Sequence, residues 1–325
     1  MRVVSNHRAI SEMASSLHKM CRSRLKMDRL FSCQPGARRK SVCSRIRAGR
    51  PEEAAFLGSH IEAEGWDGSM YDITAQLTLD PNCLLVAADD NNRPVGFGMS
   101  IQCAKDVVYM DNLIVLPEAR GQGIGRNIWT AMVAQGGSSN IILDGVPAMV
   151  DWYRRQGFVH PGVDLTGYTM PLMNTIKQEV TPACRLELLS EEHWPEMMRL
   201  DRAVYPSLDR ERVLRAFFVG RGVKTLVALD GRRVVGFGSI HEKRDGFHGL
   251  RNVTAENEKV ADYVIRGLLS HLSAGSTVSF RVPSCKRPPR CFKNAEKGMT
   301  VTRLYSKSTI DVITDKLFVS IANIV

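Results

Sequence analysis

One strand–turn–strand pattern occurs twice in the chain, about 140 residues apart, and this repeat limits the possible folds more than any other feature. Leu85-Val86-Ala87-Ala88-Asp89 through Pro94-Val95-Gly96-Phe97-Gly98 returns as Leu226-Val227-Ala228-Leu229-Asp230 through Val234-Val235-Gly236-Phe237-Gly238, with a turn one residue shorter. Each copy reads as an apolar strand, a polar Asp/Asn/Gly turn and a second strand, which is a β-hairpin. Upstream, Arg45-Ile46-Arg47 precedes Pro51-Glu52-Glu53, and Arg185-Leu186-Glu187 precedes Glu191-Glu192. Both starts read as a short strand followed by a helix with acids in its first turn, where the helix dipole favours them. Two α+β units of ~130–140 residues follow, each large enough for its own core. The predicted organisation is an extension over 1–44, a first unit over 45–173, a linker over 174–183 containing Pro182, and a second unit over 184–325.

The formal net charge of +10 suggests nucleic acid, but its distribution argues otherwise. Of 44 basic and 34 acidic residues, 13 and 2 fall within residues 1–50, which leaves 31 and 32 for the remainder. The body of the chain is near neutral and has no aromatic-basic motif, so no nucleic-acid partner is expected. Residues 1–44 place Ile10, Met13, Ala14, Leu17 and Met20 at helical spacing among Arg, Lys and Ser. That pattern fits an organellar transit peptide, a disordered basic tail, or a start at an internal Met. No apolar run reaches the ~18–20 residues of a membrane span. The 8 cysteines form no C-x-x-C pair and fit no common zinc spacing, so they read as reduced thiols of an intracellular, cytoplasmic or mitochondrial protein without a metal site.

Chemistry concentrates in the first unit. Val107 to Leu116 is a β-branched and aromatic strand ended by Pro117. Arg120-Gly121-Gln122-Gly123-Ile124-Gly125 follows, then a helical run from Arg126. A strand, a glycine-rich loop and a helix together form a phosphate seat. Glycine lets the backbone approach the anion, successive N–H groups point at it, and the helix N-terminus adds positive potential. Arg120 or Arg126 supplies further charge. A P-loop is excluded because no Gly-Lys-Ser/Thr follows. The antiparallel pattern upstream argues against a doubly wound dinucleotide fold.

The run Leu113 to Arg126 resembles motif A of the GNAT acetyltransferases, with its Arg/Gln-x-x-Gly-x-Gly/Ala core. Trp152-Tyr153-Arg154-Arg155-Gln156-Gly157-Phe158 resembles motif B, Tyr-x-x-x-Gly-Phe. The resemblance covers about residues 45–172, and the tandem layout resembles the subfamily in which a degenerate copy follows a catalytic one. It implies two tandem domains, each a mixed, mostly antiparallel sheet flanked by helices, and acetyl-CoA as co-substrate. It also implies that the backbone of Leu113, Ile114 and Val115 pairs with the pantetheine arm. Arg120, Gly121, Gln122, Gly123, Ile124, Gly125 and Arg126 would cradle the pyrophosphate, and Tyr153 would protonate the departing thiolate. The acceptor would be a primary amine of a small molecule or protein. Many members carry Asn seven residues before the motif B tyrosine, where this chain has Val146.

Strand alternation puts Tyr109, Asp111 and Leu113 on one face. Asp111 then either accepts the amine proton or merely satisfies backbone groups. In the second copy, Gly249 to Glu258 lacks Gly-x-Gly, and Asn294 aligns with Tyr153. The basic run Lys286-Arg287-Pro288-Pro289-Arg290 reads as a solvated loop. Two functions stay open: an N-acetyltransferase, or a non-catalytic acyl-CoA-binding scaffold.

Overall fold

The computed structural model describes residues 45–66, 68–176, 184–244 and 246–320; the extension at 1–44 and most of the linker lie outside them. The first copy runs β1 (Arg45–Ala48), α1 (Ala54–Ala63), α2 (Met70–Leu79), β2 (Leu84–Ala88), β3 (Pro94–Ala104), β4 (Val107–Val115), α3 (Ile124–Gly136), β5 (Asn140–Gly145), α4 (Val150–Arg155), β6 (His160–Pro161) and β7 (Leu165–Pro171). The second runs β8 (Arg185–Leu188), α5 (Trp194–Arg202), α6 (Glu211–Phe218), β9 (Val223–Asp230), β10 (Arg233–Arg244), β11 (Phe247–Ala255), α7 (Glu258–Leu269), β12 (Thr277–Pro283), β13 (Glu296–Tyr305) and β14 (Leu317–Val319). The α+β class and the mostly antiparallel sheets follow the sequence reading.

The repeated hairpins are β2–β3 and β9–β10. Their turns close differently. Asn92 takes the left-handed conformation (φ 59°) in the longer turn, and Gly231 does so (φ 59°) in the shorter one. Val-Gly-Phe-Gly has a packing reason in each copy. A Cβ on Gly98 would stand 2.5 Å from Met132 Sδ of α3, and one on Gly236 would stand 2.6 Å from Val260 of α7. Both glycines let a helix lie close on the sheet, while Phe97 and Phe237 fill the opposite face.

The strand order is β1-β2-β3-β4-β5-β13-β7-β12-β11-β10-β9-β8, a palindrome centred between β13 and β7. The two copies have exchanged their closing strands. β13, late in the chain, pairs antiparallel with β5 (Arg303↔Asp144), while β7 pairs with β12 of the second copy (Gly167↔Arg281). The expected linker, 174–183, lies mostly outside the described residues, and strand pairing joins the two expected units directly. On one face, α1, α2, α5 and α6 share a single apolar core that includes Leu57, Ile73, Phe97, Trp194, Phe217 and Phe237. On the other face, α3 and α7 each cover their own half. Among the described residues, no helix is long and apolar enough to cross a membrane.

Candidate active site

The site begins with a bulge. Ile114 pairs with Phe97 and Asp111 with Met99, so β4 has one more residue than β3 between these points. Asn112 absorbs the extra residue at φ 55°, a conformation Asn tolerates better than other residues with a Cβ. The bulge corrects the expected alternation. Tyr109 and Ile114 face the shared core, whereas Leu113 packs with the α3 cluster, so Leu113 is not on the face of Tyr109. The parallel ladder between β4 and β5 ends at Met110↔Leu143. Beyond it β4 and β5 no longer pair, so Leu113, Ile114 and Val115 face a cleft between the two strands on the side away from β3.

The glycine loop follows β4 where this pairing has ended. Gly121 and Gly123 both adopt φ +80°, which explains why glycine stands at these two positions. A Cβ on either would meet nothing within 4 Å, so the reason is backbone conformation and an open approach from solvent. Gly123 is the N-cap of α3, and no side chain caps the helix, so its first N–H groups face outward with the dipole. Ile124 is buried beneath them. The two arginines are placed differently. Arg120 donates from Nε to the Val115 carbonyl (2.8 Å) and pairs with Glu64 (2.6 Å), so its guanidinium ties the end of β4 to the end of α1. Arg126, in the first turn of α3, is exposed. The loop, the uncapped helix and the β4 edge, taken only at the Val115 carbonyl by Arg120, together fit a pyrophosphate followed by an extended amide-bearing arm.

Tyr153 lies on α4, half-buried against Trp129, Trp152 and Phe158, with ring centroids 5.3–6.5 Å away. A Cβ on Gly145, at the end of β5, would stand 3.2 Å from the Tyr153 ring. Burial, and secondarily the charge of Asp111, push the phenol up to about 12. Asp111 accepts hydrogen bonds from the backbone N–H and the side-chain amide of Asn112, both at 2.9 Å. Burial and the neighbouring charge of Asp144 nevertheless push its carboxyl up to about 7. Asp144 is fixed by Arg303, which donates at 2.8 and 3.0 Å, and by the Tyr109 hydroxyl at 2.9 Å. Arg303 arrives on the exchanged β13, so a second-copy residue shapes the electrostatics of the first.

Other charges converge here that sequence reading did not single out. Asp72, on α2, also raises Asp111, and Arg281 of β12 lowers it. Asp72 is buried, 3.4 Å from His241 and 3.4 Å from Arg251 of the second copy. It also lines a groove of about 810 Å³ between α2 and α6, walled by Tyr71, Phe217 and Val219. Val146 follows β5, half-buried, and brings no polar side chain there. No cluster of metal-ligating side chains exists among the described residues.

The second copy keeps the bulge but not the cleft. Asn252 (φ 43°) repeats Asn112, and Thr254 pairs with Phe237 as Ile114 does with Phe97. The counterpart of the glycine loop is Glu256-Asn257, and the Asn257 side chain caps α7 by accepting from Val260 N–H. A three-residue 3-10 turn, Arg290–Phe292, stands where the first copy has α4, and Asn294 lies just after it. The solvated-loop reading fails at Lys286. Its ammonium donates to the carbonyls of Thr314, Asp315 and Leu317 at 2.8–3.2 Å.

Comparison with known proteins agrees with this geometry. Residues 52–158 match the acetyltransferase (GNAT) family model. The holothin acyltransferase of a Pseudoalteromonas species is 25% identical over 236 residues, covering 72% of this chain and 76% of that protein. A Pyrococcus horikoshii protein described as an acetyltransferase matches with a TM-score of 0.69 at 19% identity, over 89% of this chain and 98% of the other. A tandem GNAT protein from the clavulanic acid biosynthesis pathway matches with a TM-score of 0.55 at 16% identity, over 80% and 98% of the two chains.

Proposed function

Because the chain belongs to the GNAT acetyltransferase family through residues 52–158, we propose that it is an acetyl-CoA-dependent N-acetyltransferase acting on a primary amine of a small molecule or protein. The catalytic unit is 45–173, completed by β13, and 184–325 is its degenerate partner. One observation carries this reading: Gly121 and Gly123, both at φ +80°, lead from the end of β4 into the N-terminus of α3, which no side chain caps. Bound acetyl-CoA supplies an acyl group already activated as a thioester. Backbone N–H groups from Gly121 to Arg126 hold the pyrophosphate, and the β4 edge from Leu113 to Val115 aligns the arm as an added strand.

Asp111 accepts the proton of the incoming ammonium, because a carboxyl near 7 balances the fraction ionised against basicity at neutral pH. Tyr153 remains protonated at Oη and delivers that proton to the leaving sulfur. The amine is held in line by the walls between the two copies, where orientation supplies much of the rate. The five cysteines described, Cys83, Cys103, Cys184, Cys285 and Cys291, are free thiols, which supports an intracellular setting, cytoplasmic or mitochondrial.

The test is a thermal melt of the chain with and without acetyl-CoA, followed by an amine screen with thiol detection. Saturation at ~100 times the dissociation constant adds about 2.7 kcal/mol. Binding with no thiol release from any amine would favour the acyl-CoA-binding scaffold, and no binding at all would remove the donor assignment.

A further inference from the structure

In the second copy, the place of the donor's arm is taken by the protein itself. β11 and β12 are parallel only over Phe247–Gly249 and Thr277–Ser279, then stop pairing as β4 and β5 do. β14 lies in the gap. Val319 pairs with Val253 and Leu317 with Thr254, the counterparts of Leu113 and Ile114. On the other side Ser320 N–H donates to the Arg281 carbonyl at 2.8 Å, and the two residues form a β-bridge, so β14 is stitched to both walls. Leu317 and Val319 are 1% and 0% exposed. Lys286 clamps the approach through the three carbonyls and lies 4.2 Å from the Phe318 ring centroid.

We propose that the diverging strands β11 and β12 form a slot for an extended apolar peptide, filled in cis by β14, and that this occupancy restricts each chain to one donor molecule. The slot's equivalence to the donor cleft rests on the function proposed above for β4, but its peptide specificity does not. β-augmentation suits it. Both walls offer main-chain hydrogen bonds, and the strand's pairing is irregular between Val253 and Thr254, so that Leu317 joins the core shared by the copies and Val319 the α7 core. A pantetheine arm carries only a gem-dimethyl group and a hydroxyl as branches, on adjacent carbons, which cannot fill two separate pockets. The pyrophosphate seat beyond is also closed, since Asn257 caps α7 and the glycines are missing.

The experiment inserts a protease site between Asp311 and Val312 of the full chain, folds the protein, and cleaves it. Residues 312–325 should stay with the body through gel filtration. A labelled peptide of that sequence should exchange into the cleaved protein, and the same peptide with Leu317→Asp should not. Release of the segment on cleavage from a body with unchanged near-UV circular dichroism would overturn the slot, as would equal exchange of the Leu317→Asp peptide. If cleavage unfolds the body, intact Leu317→Asp serves instead: a lowered melting temperature with peptide-rescuable loss supports the slot, and an unchanged one refutes it. Acetyl-CoA titration of the intact protein should give one site, abolished by Gly123→Glu. Two sites would overturn the restriction. No site would remove the donor assignment while leaving the peptide result standing.

Discussion

Replacing Asp111 by Asn should stabilise the protein at pH 8 and disable it. The carboxyl is raised from 3.8 to about 7, so the folded state holds a proton that the unfolded state releases near pH 4. Folding therefore carries no penalty from this group below about pH 4. The penalty grows as pH rises and is complete above about pH 7. About 3 pK units at 1.36 kcal/mol each give about 4 kcal/mol. Two effects reduce the gain in the variant. Asp111 is half-buried, so water in the cleft screens part of the cost, and an Asn carboxamide oxygen can accept only part of what Asn112 donates to the carboxylate, a loss of about 1 kcal/mol. The expected net is about 2 kcal/mol in favour of Asp111→Asn at pH 8, vanishing or reversing by pH 4.5. Urea denaturation of both proteins at the two pH values measures it, with unchanged m values as a control. A gap independent of pH, or a less stable variant at pH 8, would refute both the desolvation argument and Asp111 as a tuned base. The rate should agree: kcat/KM of the wild type should fall below about pH 7, and the variant should lose that limb along with most of its activity.

Gly123→Glu forces a side chain into φ +80° and puts a carboxylate in an anion seat, so acetyl-CoA affinity should fall at least about 100-fold in calorimetry while the fold persists. Tyr153→Phe keeps the aromatic packing and should lower kcat by about 10- to 1,000-fold with donor affinity nearly unchanged; equal turnover would remove Tyr153 from the chemistry. Arg303→Met leaves Asp144 buried without its partner and should cost about 3–5 kcal/mol by urea melt, with Asp144→Asn in the same chain recovering part of it.

The glycine loop was legible because its requirement is local. Positive φ at Gly121 and Gly123 and a helix start at Ile124 leave their mark in adjacent residues. The Gly-Phe-Gly repeats were legible as a pattern, although their reason, the close approach of α3 and α7, appears only in three dimensions. The bulge was within reach: Asn112 and Asn252 each stand at the same place in the fourth strand of their copy, and Asn tolerates the left-handed region. Ignoring it put Leu113 on the wrong face, because one inserted residue inverts all later alternation. Arg303, Arg281 and Asp72 could not be found this way. Their importance comes from pairings between residues far apart in sequence, and such pairings leave no periodicity. The same holds for Lys286, which looks like any basic loop residue until β14 is placed beneath it.

The exchange of β7 and β13 also determines the order in which the molecule can be made. While the first half leaves the ribosome, the outer edge of β5 has no partner, and it gains one only when residues 296–305 emerge some 150 positions later. β7 waits likewise for β12. An unpaired edge beside apolar side chains is a template for the wrong partner, including another nascent chain. Contacts this distant also slow folding. Residues 45–176 expressed alone should thus behave as a sticky half-product rather than a small enzyme, and a gene split at the linker should recover activity only when both halves are produced together.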